Sequence, residues 1–133
     1  MISKHVKYEN FEGQTVEEDL YFHLSKSDLL TLEVRYGMSF QDYVNQLMKK
    51  NDRYGLINLA KDIILDAYGV KTSSNQFNKT KEIKESFQYS PAFDEVLLDL
   101  MSDEEKFRQF LEGVVPSDVR AQIQKVKNAP QAI

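Results

Sequence analysis
Apolar and polar side chains alternate over Leu20-Tyr21-Phe22-His23-Leu24, so an extended segment there places Leu20, Phe22 and Leu24 on one face and Tyr21 and His23 on the other. Upstream, Val6 and Tyr8 alternate with Lys7 and Glu9, and Glu12-Gly13-Gln14 between the two runs has turn composition. The pattern predicts an N-terminal hairpin with one buried face. After Leu24 the period changes from two to about 3.6. Ser25-Lys26-Ser27-Asp28 supplies hydroxyl caps, with an acid three residues after Ser25, just before Leu29, Leu30 and Leu32.

From there the spacing predicts helices separated by caps, glycines and prolines. The first runs from Ser27 to Tyr36 and stops at Gly37, a residue free to adopt the left-handed conformation. Ser39-Phe40-Gln41-Asp42 starts a second, with Phe40, Tyr43, Val44, Leu47 and Met48 on one stripe. A third follows Asn51-Asp52, carries Leu56, Leu59, Ala60, Ile63, Ile64 and Ala67, and is expected to end at Gly69. A fourth spans about Thr80 to Gln88 and packs through Ile83 and Phe87. Ser90-Pro91 opens the next, whose stripe is Phe93, Val96, Leu97, Leu100 and Met101. Ser102-Asp103-Glu104-Glu105 caps another, with Phe107, Phe110, Leu111 and Val114, closed by Gly113 and Pro116. Ser117 to Lys127 forms a weaker amphipathic stretch through Val119, Ile123 and Val126.

The expected fold is mainly α with a small N-terminal β-hairpin, an α+β chain built as a bundle-like helical domain. Its expected organisation is one domain: a hairpin over residues 1–25, a helical core over 26–69, a polar loop over 70–79, a helical C-terminal part over 80–128 and a frayed tail over 129–133. A lone hairpin is marginal in water, so this one must lie on the helices or join another chain's sheet.

Composition narrows the function more by exclusion than by pointing. Cysteine is absent, which removes disulfides, thiol nucleophiles and thiolate metal sites. The formal net charge is -4 with both signs interspersed, which argues against a nucleic-acid binder with a concentrated basic face. Neither a membrane-spanning apolar run nor a basic-then-apolar leader is present, so the chain reads as soluble and cytosolic. His5 and His23, the two histidines, fall on the polar face of the expected strands and lack metal-ligand spacing. They read as surface or partly covered histidines. Glu17-Glu18-Asp19 reads as a solvated strand start that discourages edge aggregation rather than a cation site. The serines sit at helix starts, where capping accounts for them, and no Gly-x-Ser-x-Gly elbow occurs. Lys79, Lys81 and Lys84, interleaved with Glu82 and Glu85, read as a salt-bridged exposed helix face. No catalytic residue, metal site or cofactor is expected.

Recognition surfaces remain. Phe11 near the turn and Tyr21 on the outer hairpin face, with His23 beside it, offer rigid contact area to a partner. The C-terminal stripes of Phe93, Leu97, Phe107 and Phe110 either complete the core or line a groove for a partner helix. An open hairpin edge that pairs with a partner strand is a second route.

One resemblance sharpens this picture. Tyr8, Asn10, Phe11 and Gly13, then Thr15, Val16, Glu18 and Asp19, Tyr21, Phe22 and Leu24, and the Ser25-Lys26 helix start resemble the opening of phage tail assembly chaperones. Those relatives belong to long, non-contractile-tailed phages and prophages of Gram-positive hosts. Ile64-Leu65-Asp66-Ala67-Tyr68-Gly69 and Phe110-Leu111-Glu112-Gly113-Val114-Val115-Pro116-Ser117 extend the similarity over most of the chain. The resemblance implies a non-enzymatic assembly factor of the host cytoplasm that is not expected in the mature virion. In that family a small chaperone, frequently accompanied by a longer frameshift product, holds the tape-measure protein soluble and recruits tail-tube subunits. Its implied partners are therefore the tape-measure protein and the tail-tube protein, with a homo-oligomer as a further association and no nucleic acid or membrane. The competing readings are a structural virion component, such as a head-tail connector or tail terminator, and a small helical nucleic-acid-binding regulator.

Overall fold
A computed structural model describes residues 1–116. In chain order the elements are β1 (Ile2–Glu9), β2 (Thr15–Phe22), α1 (Lys26–Tyr36), α2 (Phe40–Lys50), α3 (Arg53–Ala67), β3 (Tyr68–Ser73), β4 (Gln76–Asn78), α4 (Lys81–Gln88), α5 (Pro91–Ser102) and α6 (Glu104–Val114). The strands form one antiparallel sheet in the order β1-β2-β3-β4, with three helices inserted between β2 and β3. The fold is mainly helical α+β with the hairpin at its N-terminus, as the residue pattern predicts. The expected helix 117–127 and the tail 129–133 lie outside the described residues.

Local chemistry sets the boundaries. Asn10 closes the β1–β2 turn by accepting from the amides of Glu12 and Gln14, while Gly13 takes φ 79°. At α1, Ser25 and Asp28 form a reciprocal capping box, and Gly37 ends the helix at φ 74°. The other helices start on Ser39, Asp52, Thr80, Ser90 and Asp103, each accepting from an amide of the first turn.

Two expected boundaries are corrected. The third helix ends at Ala67 rather than Gly69, because Tyr68 and Gly69 pair with Phe22 and Tyr21 of β2. Residues 70–79, expected as a polar loop, instead hold most of a second hairpin, β3–β4, that extends the N-terminal one. The partner the first hairpin needs is thus supplied by the same chain. Polar composition hid these strands: Val70 through Asn75 are exposed, so no buried face imposes an apolar alternation.

Gly69 is required by close packing. A Cβ there would lie 2.8 Å from the Asn78 main-chain oxygen, 2.7 Å from Lys79 Cγ and 2.8 Å from the Phe77 ring. Backbone cannot yield as a side-chain tip does, so Gly69→Ala is expected to lower stability by about 1–3 kcal/mol, read from chemical denaturation. Gly113, expected to help close α6, lies inside it; there a Cβ would meet the Cδ1 of Ile2 at 2.7 Å, so the glycine lets the helix approach β1.

The core lies between the inner sheet face and the helices. Val6, Leu20, Phe22 and Leu24 are buried, in the phase the alternation predicts. Phe22 is fully buried at the centre of an aromatic group, with ring centroids 5.3 Å from Phe110, 5.8 Å from Tyr68 and 6.1 Å from Phe87. Tyr68 stacks on Phe87 at 3.8 Å, and Phe87 meets Phe93 edge-on at 5.7 Å. Phe93, Phe107 and Phe110 are buried and Leu97 is half-buried against the same cluster. Of the two readings offered by their spacing, core and groove, the structure places these side chains in the core.

Candidate interaction surface
Of the residues singled out for recognition, Phe11 and Tyr21 reach solvent. Phe11 is 85% exposed at the tip of the first hairpin, held there by the Asn10 turn. Tyr21 stands on the outer sheet face at 37%. His23 follows β2 rather than lying within it, and is half-buried, the partly covered one of the two positions expected for it. Its amide donates to the Ala67 carbonyl, and its Nδ1 is buried without a hydrogen-bond partner. Burial first, then the positive N-terminus and Lys79, hold its pKa below the ordinary histidine value. The predicted set therefore does not converge on one patch: Phe11 and Tyr21 lie on the hairpin, and the C-terminal aromatics are in the core.

The polar groups mostly serve tertiary structure. His5 lies exposed on the outer sheet face, with Nδ1 2.8 Å from Asp19 and Nε2 3.4 Å from Glu17, and its hydrogen bond to Asp19, then that to Glu17, raises its pKa. This engages two members of the acidic run in cross-strand contacts. Lys4 points to the inner face and bonds Asp99 of α5 at 2.8 Å, while Lys106 of α6 bonds the other Asp99 oxygen at 3.0 Å. The Lys4 hydrogen bond leads the effects that hold the Asp99 carboxyl below the usual range. Tyr8 donates to Glu18 at 2.7 Å, and that bond raises its hydroxyl pKa to about 12.

Lys79 departs furthest from its expected exposed role. It sits between β4 and α4 with a largely buried side chain, and its Nζ donates to the carbonyls of His23 at 3.0 Å and Asp66 at 2.8 Å and to the Asp28 carboxylate. Three segments distant in sequence meet at one ammonium. Burial pushes the Asp28 carboxyl up, but the bonds from Lys79 and the Ser25 amide outweigh it and leave the pKa lowered. The remaining lysines of that cluster do make ion pairs, Lys81 with Glu85 at 3.8 Å and Lys84 with Asp66 at 3.9 Å.

Several further apolar residues are exposed. On α1, Leu30 and Val34 lie one turn apart at 63% and 77% exposure, opposite the buried Leu29 and Leu32. Their signal was present: in the run Leu29-Leu30-Leu32, only Leu29 and Leu32 fit a single buried stripe. A second feature, invisible to periodicity, is a groove of about 360 Å³ between β1 and α5, lined by Ile2 to Lys7 together with Glu95, Val96 and Asp99. Among the described residues no cluster of three or more acidic or histidine side chains could hold a metal ion. Nor, among those residues, is any helix long and apolar enough to cross a membrane.

The chain thus defines a small α+β fold whose reachable features are exposed apolar side chains, a sheet edge and a groove. A family model described as phage tail assembly chaperone matches residues 1–132, and the chain belongs to that family. No curated protein and no solved structure shows significant similarity to it.

Proposed function
We propose that this chain is a non-enzymatic tail assembly chaperone that binds the tape-measure protein and helps recruit tail-tube subunits in the host cytoplasm, leaving before the virion matures. The family match over nearly the whole chain carries the reading. Tape-measure proteins are long and helix-rich, and apolar stripes on such a chain aggregate unless covered. Exposed side chains such as Phe11, Leu30 and Val34 offer apolar area for that purpose. Phe11 at the hairpin tip and Tyr21 at the far end of β2 remain the aromatic anchors proposed for a partner, with His23 beside Tyr21; Phe93, Phe107 and Phe110 lie in the core.

Co-expression with the tape-measure protein of the same genome, followed by affinity capture and size-exclusion chromatography with light scattering, tests the reading. The expected result is a soluble co-eluting complex, with the tape-measure protein insoluble when expressed alone. Failure to bind, together with this chain in purified virions, would replace it with a structural-component role.

A further inference from the structure
We propose that the open edge of β1 and the adjoining flank of α5 receive an extended segment of a tail protein as an added strand. The inference rests on the assembly reading above for the source of that segment, and on main-chain geometry for the site. The Asn10 amide donates to the Gln14 carbonyl at 2.8 Å, and the β1–β2 register runs unshifted from Glu9↔Thr15 to Ile2↔Phe22. Amide and carbonyl of one residue point to the same side of an antiparallel strand, and the side alternates. Even-numbered residues of β1 therefore bond β2, and Ser3, His5 and Lys7 direct their amides and carbonyls away from it. The same alternation continues into the next pairing, where the His23 amide reaches the Ala67 carbonyl at 2.9 Å. Among the described residues no strand lies beside that free edge.

The groove between β1 and α5 lies along this edge. An added strand would bond Ser3, His5 and Lys7 through its backbone, with one row of side chains on the outer face and the other toward Val6, Val96 and Glu95. Charge selects the occupant. The outer row meets His5 and Lys7, the two positions that already face Asp19 and Glu17 across the β2 ladder, so it favours acids. The inner row meets apolar Val96, the mutually paired Lys4 and Asp99, and exposed Glu95, favouring apolar residues with a basic one beside Glu95. A second copy of β1 is a poor match: each well-overlapped, face-matched antiparallel register sets basic side chains opposite one another, Lys4 with Lys4, His5 with His5, His5 with Lys7 or Lys7 with Lys7. Residues 117–133, with Arg120, Lys125 and Lys127 against Asp118, also carry the wrong sign for the outer row.

The probe is a synthetic strand-forming peptide of about eight residues, the length of β1, with glutamate at alternate positions and valine or lysine between them. It is added to the full chain and followed by amide hydrogen exchange. Protection of the Ser3, His5 and Lys7 amides is expected. His5→Pro removes an outward amide without breaking the β2 ladder and should weaken peptide binding about tenfold, whereas His5→Ala, which keeps the amide and loses only the outer-row side chain, should weaken it by about two- to threefold. If His5→Pro misfolds by circular dichroism, Ser3→Pro takes its place. Absence of protection, or unchanged binding by the folded proline variant, overturns the site. A dimer of the parent that the proline variant abolishes overturns the choice of occupant. Tail-protein capture separates the two readings: complexes unaffected by the proline variant and by excess peptide retain the chaperone role and refute this edge, and failure of the parent to capture any tail protein refutes the role and the tail-protein occupant, while peptide protection reports on the edge itself.

Discussion
Replacing Lys79 with methionine is expected to lower the unfolding free energy by about 2–4 kcal/mol, because it leaves the Asp28 carboxylate and two main-chain carbonyls without their shared donor. The full cost of breaking a buried pair is not expected, since Asp28 keeps 29% of its side chain in solvent and still accepts from the Ser25 amide. The substitution also has a pH signature. The folded-state pKa of Asp28 lies below its ordinary value of 3.8, so the folded chain holds the proton less tightly than the unfolded chain. That stabilisation is present in full above the unfolded value and disappears as pH falls through the folded one. Denaturation curves should show parent and Lys79→Met furthest apart near neutrality and converging in acid, below about pH 4. A constant gap across that range would mean that Lys79 acts through the His23 and Asp66 carbonyls and not through the Asp28 carboxylate.

Phe22→Ala should have an effect of similar or greater size, about 3–5 kcal/mol in urea or guanidinium denaturation. The side chain is fully buried and touches rings from three other elements: Tyr68 of β3, Phe87 of α4 and Phe110 of α6. Its removal opens a cavity that those rings cannot close together without leaving their own contacts. Phe22→Leu should lose less, since it keeps most of the volume and loses only the edge-to-face geometry. A cost below about 1 kcal/mol for the alanine variant would show that the cluster repacks freely.

These two residues differ in how far they could be read before the fold was known. Phe22 belongs to a period-two run that has only one buried phase, so its burial was legible. Its ring partners were not, because they come from helices and a strand up to 88 positions later along the chain. Lys79 read as part of an exposed basic cluster, since lysine spacing carries no information about which carbonyls will lie within reach. The interaction surface divides similarly. Phe11 was expected near a turn and stands at its tip, whereas the phenylalanines of α5 and α6, equally prominent in sequence, are buried.

What the sequence by itself determined was the chain-wide similarity that leads to the chaperone family and, beyond it, local features: the hairpin's buried phase, the capping residues that start the helices and the left-handed glycine after α1. Such features depend on neighbours a few residues apart, and hydrogen bonding and periodicity encode them directly. Only the tertiary structure decided that Tyr68 and Gly69 leave the helix to pair with β2, that residues 70–79 complete the sheet, that Lys79 joins three segments, and that β1 is left with a free edge beside α5. Strand pairing and buried ion contacts draw their free energy from groups far apart in the chain, so their partners are fixed only when the whole core closes.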